Sequence, residues 1–120
     1  MNTQIALEDV MYNLAVNTGD PCLILADRGL MDSLGYCGTE VWQKILATTG
    51  WSNIQLRDQR YDAVIHLVTA ADGAAEFYDL DNPARYETVE EAIERDKALR
   101  SAYIGHNKIF MIGNEHNDGF

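Results

Sequence analysis

The sequence predicts an α/β domain of three layers, α/β/α, built around a short parallel sheet. Three observations carry that prediction. Short apolar runs stand at residues 22–26, 63–68 and 108–112. Longer segments with helical spacing precede and separate them. Glycine, proline and aspartate punctuate the junctions. The resulting order, helix, strand, helix, strand, helix, strand, is that of parallel strands joined by right-handed crossovers.

Each element has its own signature. Leu7, Val10, Met11 and Leu14 follow i, i+3, i+4, i+7 spacing, so residues 3–17 read as an amphipathic helix that Thr3 can cap. Gly19-Asp20-Pro21 ends it. Cys22–Ala26 is an unbroken apolar run between Pro21 and Gly29, the pattern of a strand buried on both faces. Cys37 is expected in a glycine-flanked loop. Beyond Thr39, the residues Val41, Trp42, Ile45 and Leu46 make one face of a second helix, closed by Gly50. Residues 51–62 are ambiguous, with Ile54-Gln55-Leu56 fitting a short strand or a helical turn. Ala63–Val68 is rich in β-branched residues and reads as the next strand. A small-residue loop, Thr69–Gly73, follows. Glu76–Leu80 fits one helical turn, broken by Asp81-Asn82-Pro83. Thr88–Tyr103 is a third helix with Val89, Ala92, Leu99 and Tyr103 on its inner stripe, Asp96 among them, and Gly105 as its cap. Lys108–Ile112 is the last strand.

The 120 residues fit one domain. Nineteen acids against nine bases give a net charge of −10, which argues against binding nucleic acid or an anionic membrane surface. A small nucleotide needs only a local cationic pocket. No apolar run approaches the roughly 20 residues of a membrane span, and the N-terminus lacks the pattern of a signal peptide. Two cysteines, Cys22 and Cys37, read as reduced thiols, so the expected location is cytoplasmic.

Open α/β sheets bind ligands beyond the carboxyl ends of their strands. Asp27 and Arg28 follow the first predicted strand, and Thr69 and Asp72 follow the second. If the strands are parallel neighbours, all four residues emerge at one rim. An acid there can hold a phosphate-bound Mg²⁺ or accept a proton, and an arginine can neutralise phosphate. Asp27 can equally cap its turn, and Arg28 can pair with Asp32.

Three stretches resemble a known family: Asp27-Arg28-Gly29-x-x-Asp32, the run from Leu56 to Gly73 (Leu-Arg-Asp-x-Arg-Tyr-Asp-Ala-Val-Ile-His-Leu-Val-Thr-Ala-Ala-Asp-Gly), and Asn82-x-x-Arg85-x-Glu87. Together they are similar to the second half of the P-loop kinase-like AAA domain of the nicotinamide-riboside-kinase and TRP-translocation-defect group, from about residue 4 to residue 114. The resemblance implies a P-loop NTPase fold that binds ATP or GTP with Mg²⁺. It places Asp27 at the end of the Walker B-like strand as the metal-facing acid and Arg28 beside it. Arg85 falls in a lid-like segment, where it would reach the transferred phosphate. Thr69 and Asp72 fall on the nucleotide side.

The family's G-x-x-x-x-G-K-[ST] loop is absent. No glycine here precedes a lysine, and Lys44, Lys97 and Lys108 lie in predicted helices and a strand. Without that loop there is no nest of backbone N–H groups, no phosphate lysine and no hydroxyl for Mg²⁺. The expectation is therefore an incomplete domain, lacking its first strand, phosphate loop and first helix, and inactive alone. The alternative is a non-enzymatic interaction module. A missing β-unit exposes apolar surface and a strand edge that a second copy or another partner can cover. A flavodoxin-like ligand binder is a third reading.

The other polar residues have structural explanations. Arg57, Asp58, Arg60 and Asp62 read as a solvated ion-pair cluster, with a base or ribose pocket wall as the alternative. His66 reads as a satisfied core histidine. His106, His116 and Asp118 match no standard zinc spacing. Asp96, on an apolar stripe, needs a partner such as Arg85, or solvent.

Overall fold

The computed structural model describes residues 1–73, 76 and 88–114. Helix α1 spans Asn2–Thr18, α2 Asp32–Thr49 and α3 Val89–Tyr103; strands β1 and β2 are Val64–Leu67 and Ile109–Ile112. β1 and β2 form a parallel pair with Val64 opposite Ile109 and Leu67 opposite Ile112. The α/β class and the parallel pairing expected from the sequence are both present.

The first predicted strand is not. Residues 21–26 join no strand ladder among the described residues, and Leu23 and Leu25 are each 83% exposed. The apolar run has the composition of a strand buried on both faces. A strand exists, however, only where neighbours take its N–H and C=O groups, and none of the described residues does so here.

The N-cap of α1 is Met1, which makes no side-chain cap, so Thr3 does not cap the helix. It ends at Gly19, whose φ of 74° is the left-handed conformation glycine adopts without penalty. α2 begins earlier than its periodicity suggested, at Asp32, and breaks at Gly38 (φ 77°, ψ 167°). Cys37 thus belongs to a helical turn, not a loop. The ambiguous stretch is a single π-helical turn, Ile54–Asp58. α3 opens with a capping box. Thr88 Oγ1 accepts from the Glu91 N–H, and the Glu91 carboxylate accepts from the Thr88 N–H. Ile104, one residue before Gly105, is the position that caps its other end.

The core gathers Ile5, Leu30, Met31, Trp42, Leu56, Ala102 and Tyr103. Trp42 is buried among them, and its indole N–H donates to Asn53 Oδ1 at 2.8 Å, so the polar edge of the ring is satisfied. Val64 and Ile109, at the amino ends of the strands, pack against this cluster. The opposite face of the sheet is open. Ile65, Leu67, Phe110 and Ile112 are 63%, 67%, 55% and 43% exposed.

Candidate functional site

Two corners hold Asp27 and Arg28 on one side and Thr69 and Asp72 on the other. The first is the Asp27–Asp32 turn. Arg28 adopts φ 74°, and its carbonyl accepts from Gln4 Nε2 at 3.2 Å. A left-handed arginine costs of order 1 kcal/mol or more, so the surrounding bonds must hold it. They do so through two tyrosines. Leu30 N–H donates to Tyr61 Oη at 2.9 Å, and Tyr61 Oη donates to Glu8 Oε1 at 2.9 Å. Tyr103 Oη donates to Asp32 Oδ1 at 2.7 Å, while Asp32 Oδ2 faces Arg28 Nη1 at 3.4 Å. Gly29 lies so close to Tyr103 Oη that a side chain there would meet it. Burial pushes both tyrosine hydroxyls well above their ordinary range, and the carboxylates of Glu8 and Asp32 add to the shift. Both tyrosines therefore stay neutral donors, not proton-transfer groups, at ordinary pH.

The second corner follows β1. Thr69 N–H donates to Asp96 Oδ1 at 3.0 Å, and the Asp72 N–H closes a turn onto the Thr69 carbonyl. Asn114, just beyond β2, spans the loop, with its amide donating to the Thr69 and Asp72 carbonyls at 2.7 Å each. His66 Nε2 lies 3.2 Å from Asp96 Oδ1, both side chains nearly buried. The angle is too poor for a hydrogen bond, so Nε2 is a buried polar atom without one. The histidine is thus not the fully satisfied core residue the sequence suggested. Asp96 finds its partners in His66 and Thr69.

The two corners do not share a rim. Leu30 and Gly29 are tied to Tyr61 and Tyr103, which precede β1 and β2, whereas Thr69 and Asp72 are tied to Asn114, which follows β2. In a parallel pair these are opposite ends. The cause is the unpaired 21–26 segment. Only as a strand beside β1 would it carry Asp27 and Arg28 to the carboxyl end. Arg85, His116 and Asp118 lie outside the described residues.

Arg57, Asp58 and Arg60 are structural. Arg57 pairs with Asp58 at 2.8 Å and donates to the Ile104 carbonyl at 2.6 Å. The hydrogen bonds from Arg57 hold the Asp58 carboxyl below the usual carboxylate range, against the opposing effect of burial. Arg60 ties the loop to α1 through Glu8, Asp9 and the Ile5 carbonyl. His106 is buried, its Nε2 2.7 Å from the Tyr61 carbonyl, and it belongs to the same scaffold.

Asn114 escaped sequence reasoning, because an asparagine in a polar tail carries no local signal. Its position immediately after an apolar run is the clue that could have marked it. Among the described residues, no group of three or more His, Cys, Asp or Glu side chains is placed to hold a metal ion. Nor is any described helix long and apolar enough to cross a membrane.

Comparison with known proteins adds one finding. The family model described as the AAA domain matches residues 1–117. No curated protein and no solved structure matches the chain. The match spans nearly the whole sequence and is compatible with the parallel α/β pairing: the chain belongs to the AAA-domain family, of the P-loop NTPase type.

Proposed function

We propose that this chain is a nucleotide-handling, kinase-like domain of the three-layer P-loop type that does not assemble its phosphate site unaided. The family match over residues 1–117 supports the nucleotide-handling reading, and the separation of the two corners, which runs against a shared nucleotide rim, is why the site is taken as unassembled. In a complete site Asp27 would face Mg²⁺, Arg28 and Arg85 would neutralise phosphoryl charge, and Thr69 and Asp72 would line the nucleotide. Here the turn that follows Asp27 and Arg28 is tied, through Leu30 and Asp32, to tyrosines that precede the strands. The sequence also contains no Gly-Lys loop to cradle phosphates.

The described residues therefore do not fit Mg·ATP or Mg·GTP. A divalent ion of this kind is held by one or two carboxylates together with phosphate oxygens that the protein fixes in place. The sequence supplies no Gly-Lys loop that would fix such phosphates beside Asp27. Titration calorimetry of the chain with Mg·ATP and Mg·GTP is expected to give weak binding or none. Submicromolar binding of either nucleotide would falsify the proposal.

A second reading, a non-enzymatic interaction module, is favoured by the open sheet face. A row of four large apolar side chains left to water is uncommon on a monomer and marks a contact surface.

A further inference from the structure

We infer that a second copy of this chain covers the open sheet, with α1 of each molecule lying on the β1–β2 face of the other. The inference rests on the interaction-module reading and names its partner.

The sheet supplies one half of the contact. In a parallel pair, side chains of opposite residues share a face, and Ile65 stands opposite Phe110, Leu67 opposite Ile112. Those four are the exposed side chains of the pair's outer face. The other half is α1, whose described bonds to the core segments lie in its first turns. Ile5 is buried, and Arg60 and Tyr61 bind Glu8, Asp9 and the Ile5 carbonyl. On a different face of the helix, Leu7, Val10, Met11 and Leu14 repeat at i, i+3, i+4, i+7. They are 63%, 54%, 47% and 58% exposed.

An apolar helix stripe and an apolar sheet face are the two complementary surfaces of a helix-on-sheet layer. This chain carries one of each, and neither is covered. Its own α1 is tied to residues preceding β1 and leaves the sheet open. Reciprocal exchange about a twofold axis covers both surfaces in both molecules and gives each sheet its third layer. Covering these eight side chains buries on the order of 800 Å² per protomer, the size of a standard stable interface.

Sedimentation velocity on the full chain tests the pairing, with Leu14→Glu as the helix variant and Leu67→Glu as the sheet variant. Both positions are exposed, and near-UV circular dichroism checks that each variant keeps its fold. The wild type is expected to be a dimer at about 100 µM, and each variant to dissociate at least tenfold more readily. Mixed in equal amounts, the two variants are expected to pair with each other better than either pairs with itself. The mixed dimer keeps one helix–sheet contact intact, whereas each variant's own dimer has both contacts damaged. A monomeric wild type overturns the second copy as occupant and leaves pairing with a different chain as the surviving form of the reading. A wild-type dimer indifferent to both variants, or no gain on mixing, overturns these surfaces while keeping self-pairing. Open-ended assemblies larger than a dimer overturn the closed exchange.

Discussion

At the scale of single residues, two tyrosines do most of the organising. Tyr61 bridges the Asp27–Asp32 turn to Glu8, and Tyr103 donates to the turn's own Asp32. Both hydroxyls hold their protons more tightly folded than unfolded, chiefly because burial disfavours the phenolate. A group whose pKa is raised by folding contributes stability that is present below its unfolded pKa and lost as pH rises toward the folded value. Unfolded tyrosine titrates at about pH 10. The melting temperature is therefore expected to fall from about pH 10 upward. Tyr61→Phe and Tyr103→Phe should each flatten that fall while lowering stability at neutral pH. Thermal melts followed by circular dichroism between about pH 8 and about pH 11 check it, and a wild-type curve flat across that window counts against the account. Neither tyrosine's role was legible in the sequence. Tyr103 was placed correctly on the inner stripe of α3, but a hydrogen bond to Asp32, far away along the chain, has no local signature.

At the scale of elements, the helix pair α2 and α3 depends on a close approach. A side chain at Gly35 would come within 2.8 Å of Leu99 Cδ2 and 3.1 Å of the Leu99 backbone. Arg95 of α3 also donates to the Gly35 carbonyl at 3.2 Å and lies over the Tyr36 ring. Gly35→Ala is therefore expected to push the helices apart and cost about 1–3 kcal/mol, because the Leu99 backbone cannot move without moving α3. Urea denaturation measures it; a change within about 0.5 kcal/mol would count against the close packing. The helices were legible because periodicity and end signals are local: Gly19 and Gly50 both end helices in the left-handed conformation. The start of α2 was not. Residues 32–38 carry two glycines that read as a loop, and only packing against Leu99 and Tyr103 makes them helical.

At the scale of the whole molecule, apolar surface exceeds what the chain covers. Leu23, Leu25, the outer sheet face and the free stripe of α1 all meet water. The charge bears on how such surfaces pair. Each copy carries −10, so two copies repel at long range. Raising salt from about 0.05 M to about 0.5 M screens that repulsion and strengthens apolar contact. Self-association is accordingly expected to tighten with salt. Sedimentation equilibrium at the two ionic strengths checks this; weaker association at high salt would point to ion pairs at the contact instead.

By itself the sequence determined what is local or periodic: three helices, two of three strands, the parallel α/β class, and membership of the AAA-domain family over residues 1–117. Only the tertiary structure decided whether Cys22–Ala26 is a strand, and with it which end of the sheet receives Asp27 and Arg28. The reason is that a helix satisfies its backbone within its own turns, whereas a strand must borrow donors and acceptors from a neighbour. An apolar run announces that it can be buried. Whether anything lies beside it is a property of the assembled molecule.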